Sequence, residues 1–453
     1  MAPVQAEPIL SVAPSGVAKL PGRVIAALLA FAFVATIPFL GLSEFSTRGE
    51  AREAIVAQQM QVSGDWILPL AYNELLPSKP PLFHWLVAIC SAPFGEVNEF
   101  AARLPSALCA IFVLALFLFC LRTTFDSKQA TLFATVLLLS FEWARASVSA
   151  RVDMVHASFL ACGLLVSFIA LERPRLGLWL FATVLFALAA LGKGPVAIAL
   201  PAAILSIWAI RTSDERCKQL LRIAACLGGA LLLTLLWYGE AYVKAPQAFV
   251  ERFWSENVAR FAGTMSDTPH DHSALYLLTM FFLGLLPWSG YLLWLQRKNW
   301  RSTWRECRSN WPLTPPIVRF SVYAVTIVFL FYCIPSSKRG VYLLAAYPFA
   351  ALIFTALLQS KISELAVRRC LCIGVLALML FQGVIGPVFV APRGSERPLA
   401  EVLSKERHGT QRIYSFGFEF YGAAFYSKSL FLRLEDAFAP QRRVPRAGDL
   451  IVC

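Results

Sequence analysis

Between Val24 and Phe389 the chain returns repeatedly to apolar runs near the ~20 residues a helix needs to cross a hydrocarbon core. Eleven such runs centre near residues 33, 111, 138, 162, 184, 203, 231, 283, 327, 350 and 379. Gly192-Lys193-Gly194-Pro195 joins the fifth to the sixth tightly, while Arg145, Arg151 and Asp153 interrupt the stretch around 138 and 162. Composition agrees with this pattern: 58% of residues are hydrophobic, 15% are charged and the mean hydropathy is +0.61. A soluble globular chain is about 25% charged. The expectation is an all-α polytopic membrane protein. It divides into a cytoplasmic tail (1–22), a transmembrane domain (23–390) and a small C-terminal α/β segment (391–453). The first run, Val24 to Leu42, lacks a small-residue cleavage site and precedes ten more, so it reads as a retained anchor and not a signal peptide.

Lys and Arg in the connecting loops predict the orientation. With the N-terminus inside, the cytoplasmic loops carry seventeen Lys and Arg. The short loops on the other side carry five, or twelve when the two long outer loops are added. The bias favours an inside N-terminus and an outside C-terminal segment. The net charge of +13 is scattered over many loops and forms no single basic face, so nucleic acid is not an expected partner.

One connection stands apart. Residues 44–103 form a polar, charged insert with two Trp and a Pro-Pro step, far longer than a simple crossing requires. From Glu50 to Met60, Ala51, Ala54 and Ile55 recur at near-helical spacing, with Arg52, Glu53, Gln58 and Gln59 opposite. About three turns long, this predicts an amphipathic helix at the membrane surface. Ser63-Gly64-Asp65 makes a turn, and Trp66 is placed to anchor at the interface. Ser78-Lys79-Pro80-Pro81 opens a second apolar piece, Leu82 to Ala92, too short to span.

Arg151, Asp153, Lys193, Lys338 and Arg339 lie in short loops on the same side as this insert. Taken singly, each is a helix-end charge snorkelling to the interface. Taken together beside the insert, they fit the lining of a ligand site better. A structural scaffold would not need Glu50, Lys79 and Asp153 on one side.

The insert and its surroundings resemble the GT-C superfamily, membrane glycosyltransferases that use polyprenyl-phosphate sugars. Within it, the aminoarabinose transferase and protein O-mannosyltransferase branch is most similar. The resemblance runs through GEAREAIVAQQMQVSGDW (49–66), SKPPLFHWL (78–86), FAARLPSALCA (100–110), RVDM (151–154) and LGKGPVAIALP (191–201). It continues through FWSENVARF (253–261), His270, LGLLPWSG (283–290) and SSKRGVYLLAAYP (336–348). The order and spacing of these strings, not any one of them, carry the match.

The resemblance implies a GT-C-like fold in a bacterial inner membrane, with the active site facing the periplasm. The implied donor is a polyprenyl-phosphate-linked sugar, met among membrane lipids. The implied acceptor is lipid A, another envelope glycan or a protein. The family commonly has Asp-Glu at the first acidic motif, where this chain has Gly49-Glu50. Glu50 is thus the implied base, with Glu44 and Glu53 as neighbouring alternatives. Asp153 matches the second acidic position, Lys79 and Arg260 the residues that hold the lipid phosphate, and Tyr342 an aromatic hydroxyl near that phosphate. Arg52, Lys193, His270, Lys338 and Arg339 sit at or beside motif positions with less defined roles.

The chemistry is self-consistent. Breaking a sugar–phosphate bond builds negative charge on the leaving phosphate, which fixed Lys and Arg stabilise. An acceptor hydroxyl loses a proton as it attacks, a task for a carboxylate base. One base and one direct displacement invert the anomeric carbon. No P-loop glycine pattern is present, and the sequence calls for no cofactor. Eleven Cys lack a CxxC pair, and His270-Asp271-His272 reads as a solvated loop, so a divalent metal is not indicated. The alternative class is a transporter or lipid flippase for a lipid-linked or anionic substrate. The inverted repeats common in transporters are not visible. In the tail, Pro398 to Leu403 and Gly422 to Tyr426 read as helical, and Arg412 to Phe416, Ser429 to Leu434 and Ile451 to Cys453 as strand-like.

Overall fold

The computed structural model describes residues 20–69, 79–259, 272–297, 305, 308–407, 411, 413–415, 420–428, 431–433 and 450–452. Among the described residues, the stretch from Gly22 to Phe253 supplies eleven α-helices. They are α1 (Gly22–Thr36), α2 (Arg48–Ser63), α3 (Leu82–Ser91), α4 (Glu99–Cys120), α5 (Ser127–Leu139), α6 (Phe141–Ser147), α7 (Val152–Glu172), α8 (Leu176–Lys193), α9 (Val196–Thr212), α10 (Arg216–Lys244) and α11 (Pro246–Phe253). Further along come Ala274–Gly284, Trp288–Gln296, Pro316–Cys333, Tyr347–Leu358 and Glu364–Leu380.

All eleven expected centres fall on helices, but fewer are full-length spans. Among the described residues, eight helices are long and apolar enough to cross a membrane. The pair Ala274–Gly284 and Trp288–Gln296, bent by 97°, makes a ninth if taken as one span. The runs around 138 and 203 fall on the shorter α5 (13 residues) and α9 (17 residues). At α5 the reason is local. Ser140 leaves the helical region, and Phe141 restarts the chain as the short α6, carrying the Arg145 that interrupts the run. Hydropathy counts apolar residues and does not register such a restart.

α7 is the hub. In its apolar window 89% of the residues are buried, and it packs on α8, α4 and the 3-10 segment Gly340–Ala346. A ladder of rings crosses the interior near it. Phe117 stacks on Phe133 and meets Phe349 edge-on, Phe349 meets Phe320, and Phe320 meets Trp208 and Phe168. The apolar faces of α10 and of Glu364–Gly394 instead point outward, with Leu232, Leu236, Ile373 and Leu376 exposed. Lipid is the solvent such a surface matches.

The insert folds as two helices. Thr47 caps α2 by accepting the Glu50 N–H at 3.3 Å, and Gly64, at φ 69°, ends it in the left-handed conformation glycine tolerates. The apolar side of α2, including Ala54, Ile55, Val56 and Ala57, packs with Phe83 and Val87 of α3 and with Ala423 and Phe425 of the C-terminal segment. Periodicity found this face, but it cannot tell lipid from protein as the apolar partner.

The C-terminal segment has helices Arg397–Glu406 and Tyr421–Ser427 and a parallel sheet. Its strand order is β2 (Phe431–Arg433), β1 (Ile413–Ser415), β3 (Leu450–Val452), with Tyr414 opposite Leu432 and Ile451. It is tied down at the start of the insert. The Tyr426 hydroxyl accepts the Phe45 N–H at 2.8 Å and donates to Glu99 at 2.9 Å, while Phe45 meets the Phe425 ring edge-on. The expected boundary at 390/391 lies just inside the long helical run that ends at Gly394.

Candidate functional site

The cap at Thr47 sets Glu50 in the first turn of α2, where the helix dipole favours a carboxylate. Glu50 points into the protein and is 6% exposed. Its Oε1 accepts from Arg103 Nε and from the Ala150 N–H, both at 3.0 Å. Among the described residues its Oε2 meets only the Thr47 hydroxyl, at 3.5 Å. Arg103, on α4, also donates to the carbonyls of Leu40, Ser43 and Glu44, so one buried guanidinium fixes the whole α1–α2 connection. The sequence offers FAARLPSALCA as a matching string but no role for this Arg; its partner lies 53 positions away.

Asp153 opens α7 and is 4% exposed. Lys193 is the last residue of α8, delivered by the turn that Gly194 makes at φ 96° before Pro195, the N-cap of α9. Lys193 Nζ is 2.6 Å from Asp153 Oδ1, and Arg151 Nη2 is 3.7 Å from Oδ2. The same ammonium lies 4.1 Å from the centre of the Tyr342 ring, within cation–π range. Residues far apart in sequence therefore meet as one unit: Arg151, Asp153, Lys193 and Tyr342.

Between the Glu50 and Asp153 groups lies a cavity of about 160 Å³, lined by Thr47, Glu50, Arg145, Arg151, Asp153 and Arg339 among others. That is room for several waters or for a polar ligand of comparable size. Its walls come from the first turn of α2, from α6, from the start of α7 and from the segment that leads into Gly340–Ala346.

The remaining described sequence candidates do not line this cavity. Lys79 Nζ is 3.1 Å from Glu256, a buried carboxylate in the π-turn Trp254–Ala259 that also has Arg252 at 3.7 Å. Glu53 is buried one turn after Glu50 and is held by Arg52 and by His84 Nε2 at 2.9 Å. Burial alone would push its carboxyl up, but Arg52 and the His84 hydrogen bond hold it well below the usual carboxylate range. Both of its oxygens are engaged, so Glu53 reads as a strut between α2 and α3. Glu44 is bound by Ser395 and Arg397 of the C-terminal segment, away from the cavity lining. Lys338 is buried and donates to the Pro335 carbonyl at 2.7 Å, closing its own loop. Arg260 and His270 lie outside the described residues. Sequence reading gave no site role to Arg103, Arg145 or Glu256, because each is defined by partners or walls that only the fold supplies.

Comparison with known proteins gives the same fold. Residues 78–238 match the family described as Dolichyl-phosphate-mannose-protein mannosyltransferase. The chain is 29% identical over 314 residues to the Undecaprenyl phosphate-alpha-4-amino-4-deoxy-L-arabinose arabinosyl transferase of Shewanella sediminis, covering 67% of this chain and 54% of the relative. It is 27% identical to a similarly named transferase of Proteus mirabilis, covering 71% and 57%. The chain thus spans little more than half the length of these relatives. Among solved structures, ArnT from Cupriavidus metallidurans bound to undecaprenyl phosphate superposes with a TM-score of 0.72 at 20% identity, over 94% of this chain and 89% of that one. The archaeal oligosaccharyltransferase AglB from Archaeoglobus fulgidus aligns with a TM-score of 0.51 at 11% identity, over 91% and 64%. This polytopic membrane chain thus has the fold of the solved ArnT structure and resembles these polyprenyl-phosphate-dependent transferases in sequence.

Proposed function

We propose that the chain is an integral membrane glycosyltransferase. It moves a sugar from a polyprenyl-phosphate donor to an acceptor such as lipid A, another envelope glycan or a protein, at the periplasmic face of a bacterial inner membrane. The observation that carries this reading is the cavity that faces two buried carboxylates, Glu50 and Asp153, beside the Lys193–Tyr342 pair. A transporter does not need two carboxylates so fixed at one end of the bundle. The relatives' names, which specify an undecaprenyl-phosphate-linked sugar and its transfer, point the same way.

In this reading Glu50 is the base. Arg103 and the Ala150 N–H hold Oε1, leaving Oε2 as the oxygen with room to take the acceptor proton. As the acceptor oxygen bonds to the anomeric carbon, the sugar–phosphate bond breaks and its electron pair leaves with the phosphate. That direct displacement inverts the anomeric centre. Lys79 and Arg260 meet the growing phosphate charge, while Asp153 fixes Lys193 against the Tyr342 ring.

Lys79→Ala and Arg260→Ala should each weaken binding of polyprenyl phosphate. A charge-assisted contact is worth ~1.5–3 kcal/mol, or about one to two decades in affinity. Binding to protein in nanodiscs measures this; unchanged affinity in both variants would remove them from the donor site. Orientation has its own check. An impermeant maleimide should label Cys placed at Asn73 or at Lys405 from the periplasmic side, and labelling from the cytoplasm alone would overturn the placement.

A further inference from the structure

The cavity carries more positive charge than its carboxylates can use. Both acids in its wall are already engaged: Glu50 by Arg103, and Asp153 by Lys193. Arg145 turns back to Glu142, with both nitrogen–oxygen contacts under 3 Å. That leaves two guanidiniums as surplus. Among the described residues, Arg151 has one ion-pair partner, an Asp153 that Lys193 already holds, at 3.7 Å. Arg339, half-buried, has no ion pair within 4.0 Å among the described residues. Counting the cavity wall and its direct partners, five cations face three carboxylates.

Gly49 makes this arrangement possible. A Cβ at position 49 would sit 1.5 Å from Arg151 Nη1 and 2.6 Å from its Cζ. The Arg151 guanidinium therefore fills the space a side chain at 49 would take, pressed on the first turn of α2 beside Glu50. Any residue but glycine there must drive the guanidinium out. Where any other residue would direct its side chain toward this wall, the chain places a cation.

Resting on the function proposed above, we infer that the cavity selects the transferred sugar by charge: it takes a sugar without an ammonium group, and an acidic sugar best. No carboxylate in the described wall is left to receive an ammonium, and two guanidiniums repel one at short range in a partly desolvated site. A carboxylate on the sugar ring meets the opposite situation, with planar donors suited to it. The curated relatives are named for a 4-amino sugar. This chain would differ from them in substrate at this point of the site.

The test is donor binding to full-length protein in nanodiscs, with three polyprenyl phosphates that carry a uronic acid, a neutral hexose or an amino sugar. The expected order is uronic acid, then neutral, then amino, with the amino sugar bound at least ~10-fold more weakly than the neutral one. Arg339→Gln, which opens no clash, should shrink the gap between acidic and amino donors several-fold. Gly49→Asp, which displaces Arg151 and adds a carboxylate, should shrink it further or reverse it. An amino-sugar donor bound as tightly as the neutral one by the wild-type protein overturns the inference. So does a gap that Arg339→Gln leaves unchanged. If none of the donors binds, and bare polyprenyl phosphate does not bind either, the proposed function fails and this inference falls with it.

Discussion

Glu50→Gln should lower turnover by about 10²–10⁴, the usual contribution of a general base, while polyprenyl-phosphate binding changes little. The amide retains an oxygen that can accept from Arg103 Nε and the Ala150 N–H, so the anchor at Oε1 survives. What is lost is the proton acceptor at Oε2 and the negative charge opposite Arg103. A purely structural role predicts a different pattern. Arg103 is 5% exposed, and removing the partner of a buried charge costs about 3–5 kcal/mol, so a structural Glu50 would show mainly as a lower melting temperature. Thermal unfolding and turnover measured on the same preparation separate the two. A folded Glu50→Gln protein with near-wild-type turnover would remove Glu50 as the base. If Glu53→Gln or Glu44→Gln were then inactive, the role would pass to that neighbour.

Asp153→Asn should also cost at least ~100-fold in turnover, and here donor binding should weaken as well. The substitution leaves the Lys193 ammonium, buried against the Tyr342 ring, without its anion at 2.6 Å. An unpaired buried ammonium either moves toward water or loses its proton, and in both cases the surface it presents to the donor changes. The double variant Asp153→Asn/Lys193→Gln discriminates. It removes the unpaired charge, so stability should return toward wild type while activity stays low. Recovery of both together would mean that Asp153 serves only to neutralise Lys193. Since the two residues touch, their effects should be non-additive.

Parts of this architecture were legible in the sequence, and the reason is physical. Apolar runs report directly on burial in lipid or protein, so every expected centre lies on a helix. Gly194 and Gly64 marked turns because each adopts a positive φ. The capped start of α2 was less visible, since Thr47 is one of many hydroxyl residues. What the sequence did not carry is pairing. Glu256 lies 177 positions from Lys79, and Arg103 lies 53 from Glu50. No periodicity links such residues; only the packing of the insert onto the bundle does. The same packing separates candidates that looked alike. Glu44, Glu50 and Glu53 are neighbours in the chain, yet one ties down the C-terminal segment, one faces the cavity and one braces α3 through His84. The full-length span count was overestimated for a related reason. A break at Ser140 and a 97° bend between Gly284 and Trp288 are backbone events that a hydropathy profile does not register.

The most direct test of the central claim uses purified protein, a labelled polyprenyl-phosphate sugar and extracted envelope acceptors. The proposed activity predicts release of polyprenyl phosphate in step with appearance of a new glycoside of inverted anomeric configuration, and loss of both in Glu50→Gln. Movement of the intact lipid-linked sugar across the bilayer, with the sugar–phosphate bond uncleaved, would contradict it.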